Sequence, residues 1–247
     1  MNYLDSLFDL KGKVAVVIGG TGELCGHIAG GLAKAGVEVA LAGRDASKAD
    51  DKLKAVTDGG GKGYFVATDL SKKNSLDALL EKVVVKSGRI DILINGAGVN
   101  SPTPFLEIST PELQSIMNVN FGAMVQACQI FGQYFLEQGI PASIINLGSI
   151  SGLTPLSRVF SYSASKAAVH NLSRNLAREW ADNDIRVNTL VPGFFPAEQN
   201  RKVLDESRVL EILRNTPMSR FGNPEELIAG VLLLASCKAG SFITGTE

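Results

Sequence analysis

Cysteine is scarce in this chain and histidine scarcer, with three of the first and two of the second in 247 residues. Cys25, Cys128 and Cys237 stand far apart and form no Cys-x-x-Cys pair, which argues against a disulfide framework and for a reducing, cytoplasmic location. His27 and His170 belong to no His-Glu-x-x-His pattern, so no metal is expected. Long apolar runs are missing as well. None approaches the ~18 residues of a spanning helix, and no membrane partner is expected. The opening Met1-Asn-Tyr-Leu-Asp-Ser-Leu-Phe8 contains an acid and lacks a basic segment leading into an apolar one, which argues against a secretory signal. Charge of one sign is not in excess either: 24 Lys and Arg face 25 Asp and Glu, and no basic block occurs. That balance leaves no electrostatic footprint for nucleic acid and favours small-molecule chemistry.

What is present is a regular alternation of short apolar strands and amphipathic helices in a chain that is 45% hydrophobic. Lys13 to Ile18 is β-branched and ends in glycine, with Leu24, Ile28, Leu32 and Ala33 following at helical spacing. Strands are expected at Val37–Ala42, Tyr64–Ala67, Ile90–Ile94, Ser143–Leu147 and Ile185–Leu190, and helices at Asp45–Val56, Ser71–Lys86, from Thr110 onward and at Tyr162–Trp180. Thr110 is the expected cap of its helix, with Pro111 in the first turn. Strands without polar alternation, each followed by a helix, imply an α/β fold: a single doubly wound parallel sheet with helices on both faces, of the Rossmann type. Residues 1–247 read as one domain. Residues 193–218 interrupt the rhythm with Pro-Gly-Phe-Phe-Pro and many charges, the composition of a substrate lid, before Asn223-Pro-Glu-Glu caps another helix.

The chemistry concentrates between Ser149 and Lys166. Tyr162 and Lys166 are four apart, which puts them on one helix face roughly 6 Å apart. An ammonium at that distance stabilises a phenolate and draws the tyrosine towards proton transfer near neutrality. Ser149 lies thirteen residues earlier, at the end of a buried strand, where open α/β sheets place their ligands. A lysine four residues after a tyrosine is a weak signal by itself; the serine, the following helix and a glycine-rich turn at the front of the chain strengthen it.

Ser149, Tyr162-x-x-x-Lys166, Asn120 in Asn-Val-Asn-Phe, Asn95-Gly-Ala-Gly98 and Pro192-Gly193 together resemble the short-chain dehydrogenase/reductase family, in order along nearly the whole chain. The resemblance implies a nicotinamide cofactor and alcohol/ketone interconversion. Ser149 would hold the carbonyl, Tyr162 would donate the proton, Lys166 would tune Tyr162 and hold ribose hydroxyls, and Asn120 would fix a relay water. From spacing alone, Asn120 could equally stabilise its own helix. The resemblance also implies a homo-oligomer, in this family a tetramer. Phe242 to Glu247 looks like the start of the family's last strand, and the Val-Asp-Gly-Gly that follows it there is absent, which reads as truncation.

Gly19-Gly-Thr-Gly-Glu-Leu-Cys-Gly26, between strand and helix, suits a pyrophosphate, with Gly19, Thr21, Gly22 and Leu24 as its contacts. The family writes Thr-Gly-x-x-x-Gly-Ile-Gly; here Glu23 and Cys25 take the places of its second and third glycines. Glu23 is expected to turn outward, away from a phosphate. Cys25 is either a small residue that fits or a thiol of lowered pKa at a helix start. Gly43 and Arg44 stand where an acid would bind the ribose of NAD, and they suit a 2′-phosphate, so NADP is favoured with NAD as the alternative. By resemblance, Asp69 and Leu70 would meet adenine, Asn95 and Ala97 would pass beneath the riboses, and Pro192 and Gly193 would flank the nicotinamide. Gly96 stands where the family often has a second asparagine. Phe195 to Arg201, with the Gly-x-x-Cys-Gly turn, resembles the branch acting on fructuronate, mannonate and related sugar acids or polyols. Arg201, Asn200, Gln199 and Arg158 would then supply the carboxylate and hydroxyl partners. A ketoacyl or general carbonyl reductase, and a cofactor-binding regulatory protein without activity, are the competing readings.

Overall fold

Strand β1 (Val14–Ile18) is buried along its whole length, and its residues divide between two cores. Val14, Val16 and Ile18 face one way and Ala15 and Val17 the other, as the two-residue side-chain period of a strand requires. In the computed structural model, which describes residues 2–58, 60–72, 74–195 and 206–247, β1 lies at the centre of a six-stranded sheet. The other strands are β2 (Glu38–Gly43), β3 (Lys62–Ala67), β4 (Ile92–Asn95), β5 (Ala142–Leu147) and β6 (Ile185–Leu190), in the order β3-β2-β1-β4-β5-β6. Every pairing is parallel. A parallel sheet needs helical crossovers, and these cover both faces. The expected doubly wound sheet is therefore the observed one.

A short α1 (Tyr3–Phe8) precedes β1. One face of the sheet carries α2 (Glu23–Lys34) and α3 (Ala49–Thr57), and the other α4 (Ser75–Ser87). After β4 comes α5 (Thr110–Met117), which passes through a single π-type turn, Asn118–Gly122, into α6 (Ala123–Gln138). The cap of α5 is Ser109, whose hydroxyl accepts from the Glu112 amide at 3.3 Å. Thr110 is instead the first helical residue, because Ser109 has the extended backbone a cap needs. Helix α7 (Phe160–Trp180) joins α4 and α6 on their face, Phe131 and Phe135 of α6 packing with Val169 and Ala177 of α7. After β6 come α8 (Glu206–Asn215) and α9 (Ile228–Ala235); α9 packs with α2 on the opposite face. Asn223 caps the 3₁₀ turn Pro224–Leu227 leading into α9, with Glu226 completing a capping box.

The tail after α9 is fastened to β6. Buried Arg186 donates to the carbonyls of Leu234, Ser236 and Ile243. The Gly245 amide bonds Val187 O at 2.8 Å, and the Thr189 amide bonds Thr246 O at 2.9 Å. Among the described residues, no helix is long and apolar enough to cross a membrane.

Candidate active site

The register of the sheet sets Ile18, Asn95 and Asn146 in one row, so β1, β4 and β5 end level with one another. The turns that follow meet above that edge, at the point where strand order reverses, which is where such sheets bind ligands. Gly19 has φ +80°, and a Cβ on it would lie 2.7 Å from the Ala97 amide nitrogen. Only glycine permits both this conformation and this approach. The turn is tied to β2 by the Gly19 and Gly20 amides, which both donate to Ala42 O. Gly22 caps α2 without a side chain, leaving the first helical N–H groups facing outward.

Glu23 is exposed at the start of α2 and turned towards α3. Its carboxylate accepts from Lys52 Nζ at 3.0 Å, which holds the carboxyl below its usual range, and His27 Nε2 lies 3.2 Å away. Its charge is thus answered by Lys52 of α3 and by His27 one turn along α2. Cys25 goes the opposite way from a reactive thiol: it is 3% exposed, and burial pushes its pKa up to about 12. Arg44 follows β2 on the exposed surface and makes no hydrogen bond among the described residues; its charge acts on Asp69. Asp69 is engaged by its own turn, accepting from the amide and hydroxyl of Ser71, which hold its carboxyl below the usual range. Leu70 and Ala97 line a small apolar hollow with Ile18, Val119 and Met124. Asn95 spends its side-chain amide inside the sheet, on Asn146 Oδ1 at 2.8 Å. Thr21 packs against Gly43, where a Cβ would lie 2.8 Å from its hydroxyl. The helix end without a side-chain cap, the glycine cradle and the solvent-facing guanidinium fit a dinucleotide carrying an extra phosphate.

Ser149 follows β5 and caps the 3₁₀ turn Ile150–Gly152, accepting from the Ser151 amide at 3.2 Å and the Ser151 hydroxyl at 3.0 Å. Tyr162 enters in the first turn of α7, and its phenol is near enough to the Ser149 hydroxyl for that group to act on its pKa. Lys166, 3% exposed, places Nζ 5.6 Å from the Tyr162 ring centre, close to the separation the spacing predicts. The electrostatics differ from that prediction. Burial pushes the Tyr162 phenol above its ordinary value, with Ser149 opposing the shift, and Lys166 is not among the causes. Lys166 donates instead to Leu147 O at 2.7 Å, and burial brings its own pKa down to about 8. A desolvated phenol stays protonated, as a proton donor to a carbonyl must be.

Asn120 sits at the centre of the π turn, fully buried. Its Oδ1 accepts from the Val99 amide at 2.8 Å, while Nδ2 donates to Val99 O at 2.9 Å and to Ser165 Oγ at 3.0 Å. Ser165 donates onward to Tyr162 O at 2.6 Å. Asn120 thus braces the Gly98–Val99 loop and the tyrosine turn of α7 and does not cap its own helix; a π turn is a frequent device at functional sites. Pro192 is buried and its carbonyl accepts from Ile150 N at 3.2 Å, tying the chain after β6 to the serine turn, and Gly193 beside it is exposed. Arg208 of α8 donates to the Ser157 carbonyl at 2.9 Å, so α8 rests on the loop between Ser149 and Tyr162. Arg158 projects from that loop with φ +61°, exposed and without a hydrogen bond or ion pair among the described residues. Gln199, Asn200 and Arg201 lie outside the described residues. Sequence reasoning missed Ser165 and His170; both share the buried face of α7 with Lys166, and helical spacing from Tyr162 was the available signal.

The family model described as short chain dehydrogenase matches residues 13–208. The chain is 36% identical to an uncharacterized oxidoreductase, UxuB, of Bacillus subtilis (strain 168), over 96% of this chain and 92% of that one. It is 35% identical to the 2-dehydro-3-deoxy-D-gluconate 5-dehydrogenase of Escherichia coli (strain K12), over 97% and 94%. A crystal structure of the 3-oxoacyl (acyl-carrier-protein) reductase of Agrobacterium tumefaciens C58 with NADP bound superposes with a TM-score of 0.90 at 32% identity, over 98% of this chain and 94% of that one.

Proposed function

Because the chain belongs to the short chain dehydrogenase family and is an NAD(P)-dependent oxidoreductase, we propose that it interconverts a secondary alcohol and a ketone on a sugar acid or polyol, with NADP preferred. The observation that carries this reading is the meeting of the Ser149 hydroxyl, the part-buried Tyr162 phenol and, 5.6 Å from its ring, the Lys166 ammonium, at the carboxyl edge of the sheet. In the reducing direction Ser149 hydrogen-bonds the substrate carbonyl and Tyr162 gives its proton to that oxygen. Lys166 then stabilises the phenolate left behind, a role that begins once the charge exists. Asn120, through Ser165, keeps the tyrosine turn in place. The turn Gly19–Gly22, Leu24, Arg44 and the Asn95–Ala97 backbone would hold the cofactor, and Lys166, Pro192 and Gly193 its reactive end. When bound, the nicotinamide supplies or accepts the hydride at the carbon bearing that oxygen.

Two features support a sugar acid. The Escherichia coli relative acts, by its name, on a gluconate derivative. Arg158 offers a guanidinium without a partner among the described residues, four residues before Tyr162, suited to bidentate carboxylate binding. The test is a panel of sugar acids (fructuronate and mannonate included), neutral polyols and acyl thioesters, each with NADPH and NADH or their oxidised forms. A sugar acid is expected to give the highest kcat/KM, and Arg158→Ala to raise KM for it more than for the matching polyol. Tyr162→Phe is expected to lower kcat by about 10³-fold or more, with NADPH affinity within a few fold. Preference for an acyl thioester would overturn the substrate class, and an active Tyr162→Phe enzyme the mechanism.

A further inference from the structure

The backbone of Ser149 is held by a group that the proton transfer above does not use. His170, two turns beyond Tyr162 on α7 and 1% exposed, places Nε2 3.3 Å from the Ser149 amide nitrogen. The ring lies so close to the strand end that a Cβ on Gly148 would stand 2.3 Å from Nε2. Only an unprotonated Nε2 can accept the serine N–H, which puts the ring proton on Nδ1. Nδ1 faces Glu247 Oε2 at 3.3 Å, an electrostatic approach off the line of an ideal hydrogen bond, and Arg174 binds the other oxygen of that carboxylate. The tail is brought there by its bonds to β6.

We propose that His170, kept in the Nδ1–H form by Glu247, is a positioning residue that sets Ser149 through its amide, and that protonating the imidazole releases the serine and lowers turnover. The inference rests on the reading that Ser149 and Tyr162 perform the reaction. The charged groups facing the ring are Glu247 from the tail and Arg174 and Lys166 from α7; Gly148, Ser149 and Thr189 on the strand side carry none. Burial holds the imidazole below its ordinary 6.5, with Glu247 pulling the other way. The loss of turnover therefore falls on the acid side of 6.5.

The pH dependence of kcat for the wild-type enzyme, His170→Gln, His170→Leu and Glu247→Gln tests this. Glutamine offers an acceptor near the Nε2 position and does not titrate, so His170→Gln is expected to keep kcat near neutrality within about threefold and to lose the acid limb. Leucine offers none, and a serine displaced by even ~1 Å predicts a loss of about 10²-fold. Glu247→Gln should move the limb to lower pH, because the carboxylate is what raises the imidazole. In a His27→Asn background His170 is the one remaining histidine. Its ring and the Ser149 amide are then expected to titrate with one midpoint by ¹⁵N correlation spectroscopy. An unchanged acid limb in His170→Gln, or a Ser149 amide that ignores the imidazole, overturns the proposal while leaving Tyr162 in its role. Persistent turnover by Tyr162→Phe would instead remove the underlying reading, and this inference with it.

Discussion

Cys25 and Gly96 occupy the space that the family pattern gives to a glycine and an asparagine in the reverse positions. A Cβ on Gly96 would lie 2.1 Å from Cys25 Sγ, an overlap that no rotamer of an added side chain removes. Two departures from the pattern that read as unrelated in the sequence are one exchange of volume between the turn after β4 and the first turn of α2. Gly96→Asn alone is expected to lose about 1–3 kcal/mol of stability, and much of that should return when Cys25→Gly is added. Denaturant unfolding of both single variants and the double gives the coupling, and strictly additive losses would refute the exchange. Neither the overlap nor the elevated thiol pKa is visible in the spacing, because 71 residues separate the partners.

Helix α7 brings Tyr162, Ser165, Lys166 and His170 to one face at intervals of three and four, a polar stripe buried where an apolar one is usual. Burying the Lys166 ammonium costs stability, and the sign follows from its lowered pKa. The folded protein gives up this proton near pH 8 and the unfolded chain near 10.5, so between those values the unfolded chain holds more protons and stability rises with pH. Below pH 8 the full cost is borne. The expected outcome is that Lys166→Met, inactive, is more stable than wild type at pH 7, and that its advantage shrinks between pH 8 and 9.5. The total change is on the order of 3 kcal/mol at most. Comparing the two proteins by thermal unfolding cancels the tyrosines and thiols; an advantage that does not change with pH would mean that burial does not hold the proton off. The Tyr162–Lys166 spacing correctly predicts their proximity. It misassigns the electrostatics, since helical periodicity says which groups meet and nothing about the water removed from around them.

The whole chain responds to cofactor through mass action, since a ligand bound by the native state alone raises its stability. At a hundred times its Kd, NADPH should add about 2.7 kcal/mol, or roughly 5–10 °C in Tm for a chain of this length. NADH at the same concentration is expected to do less, and Arg44→Ala to bring the two together; a larger shift with NADH would reverse the cofactor preference. The six parallel strands, the helices between them and the two-faced core are legible in the alternation of β-branched runs with amphipathic helices, because backbone hydrogen bonding and apolar burial act over a few residues and leave a local pattern, whereas the strand order and the level ends of β1, β4 and β5 are pairings between distant segments. The local pattern likewise gives the placement of Ser149, Tyr162, Lys166 and the glycine turn, which depends on short spacings. What only the tertiary structure decided lies in contacts between distant segments: Glu23 answered by Lys52, Asn120 bracing Val99 and Ser165, Cys25 filling the place of a side chain at 96, and Glu247 reaching His170 behind the serine. Each depends on desolvation and on which surfaces the closed sheet presses together, and a linear order of residues encodes neither until the chain has folded.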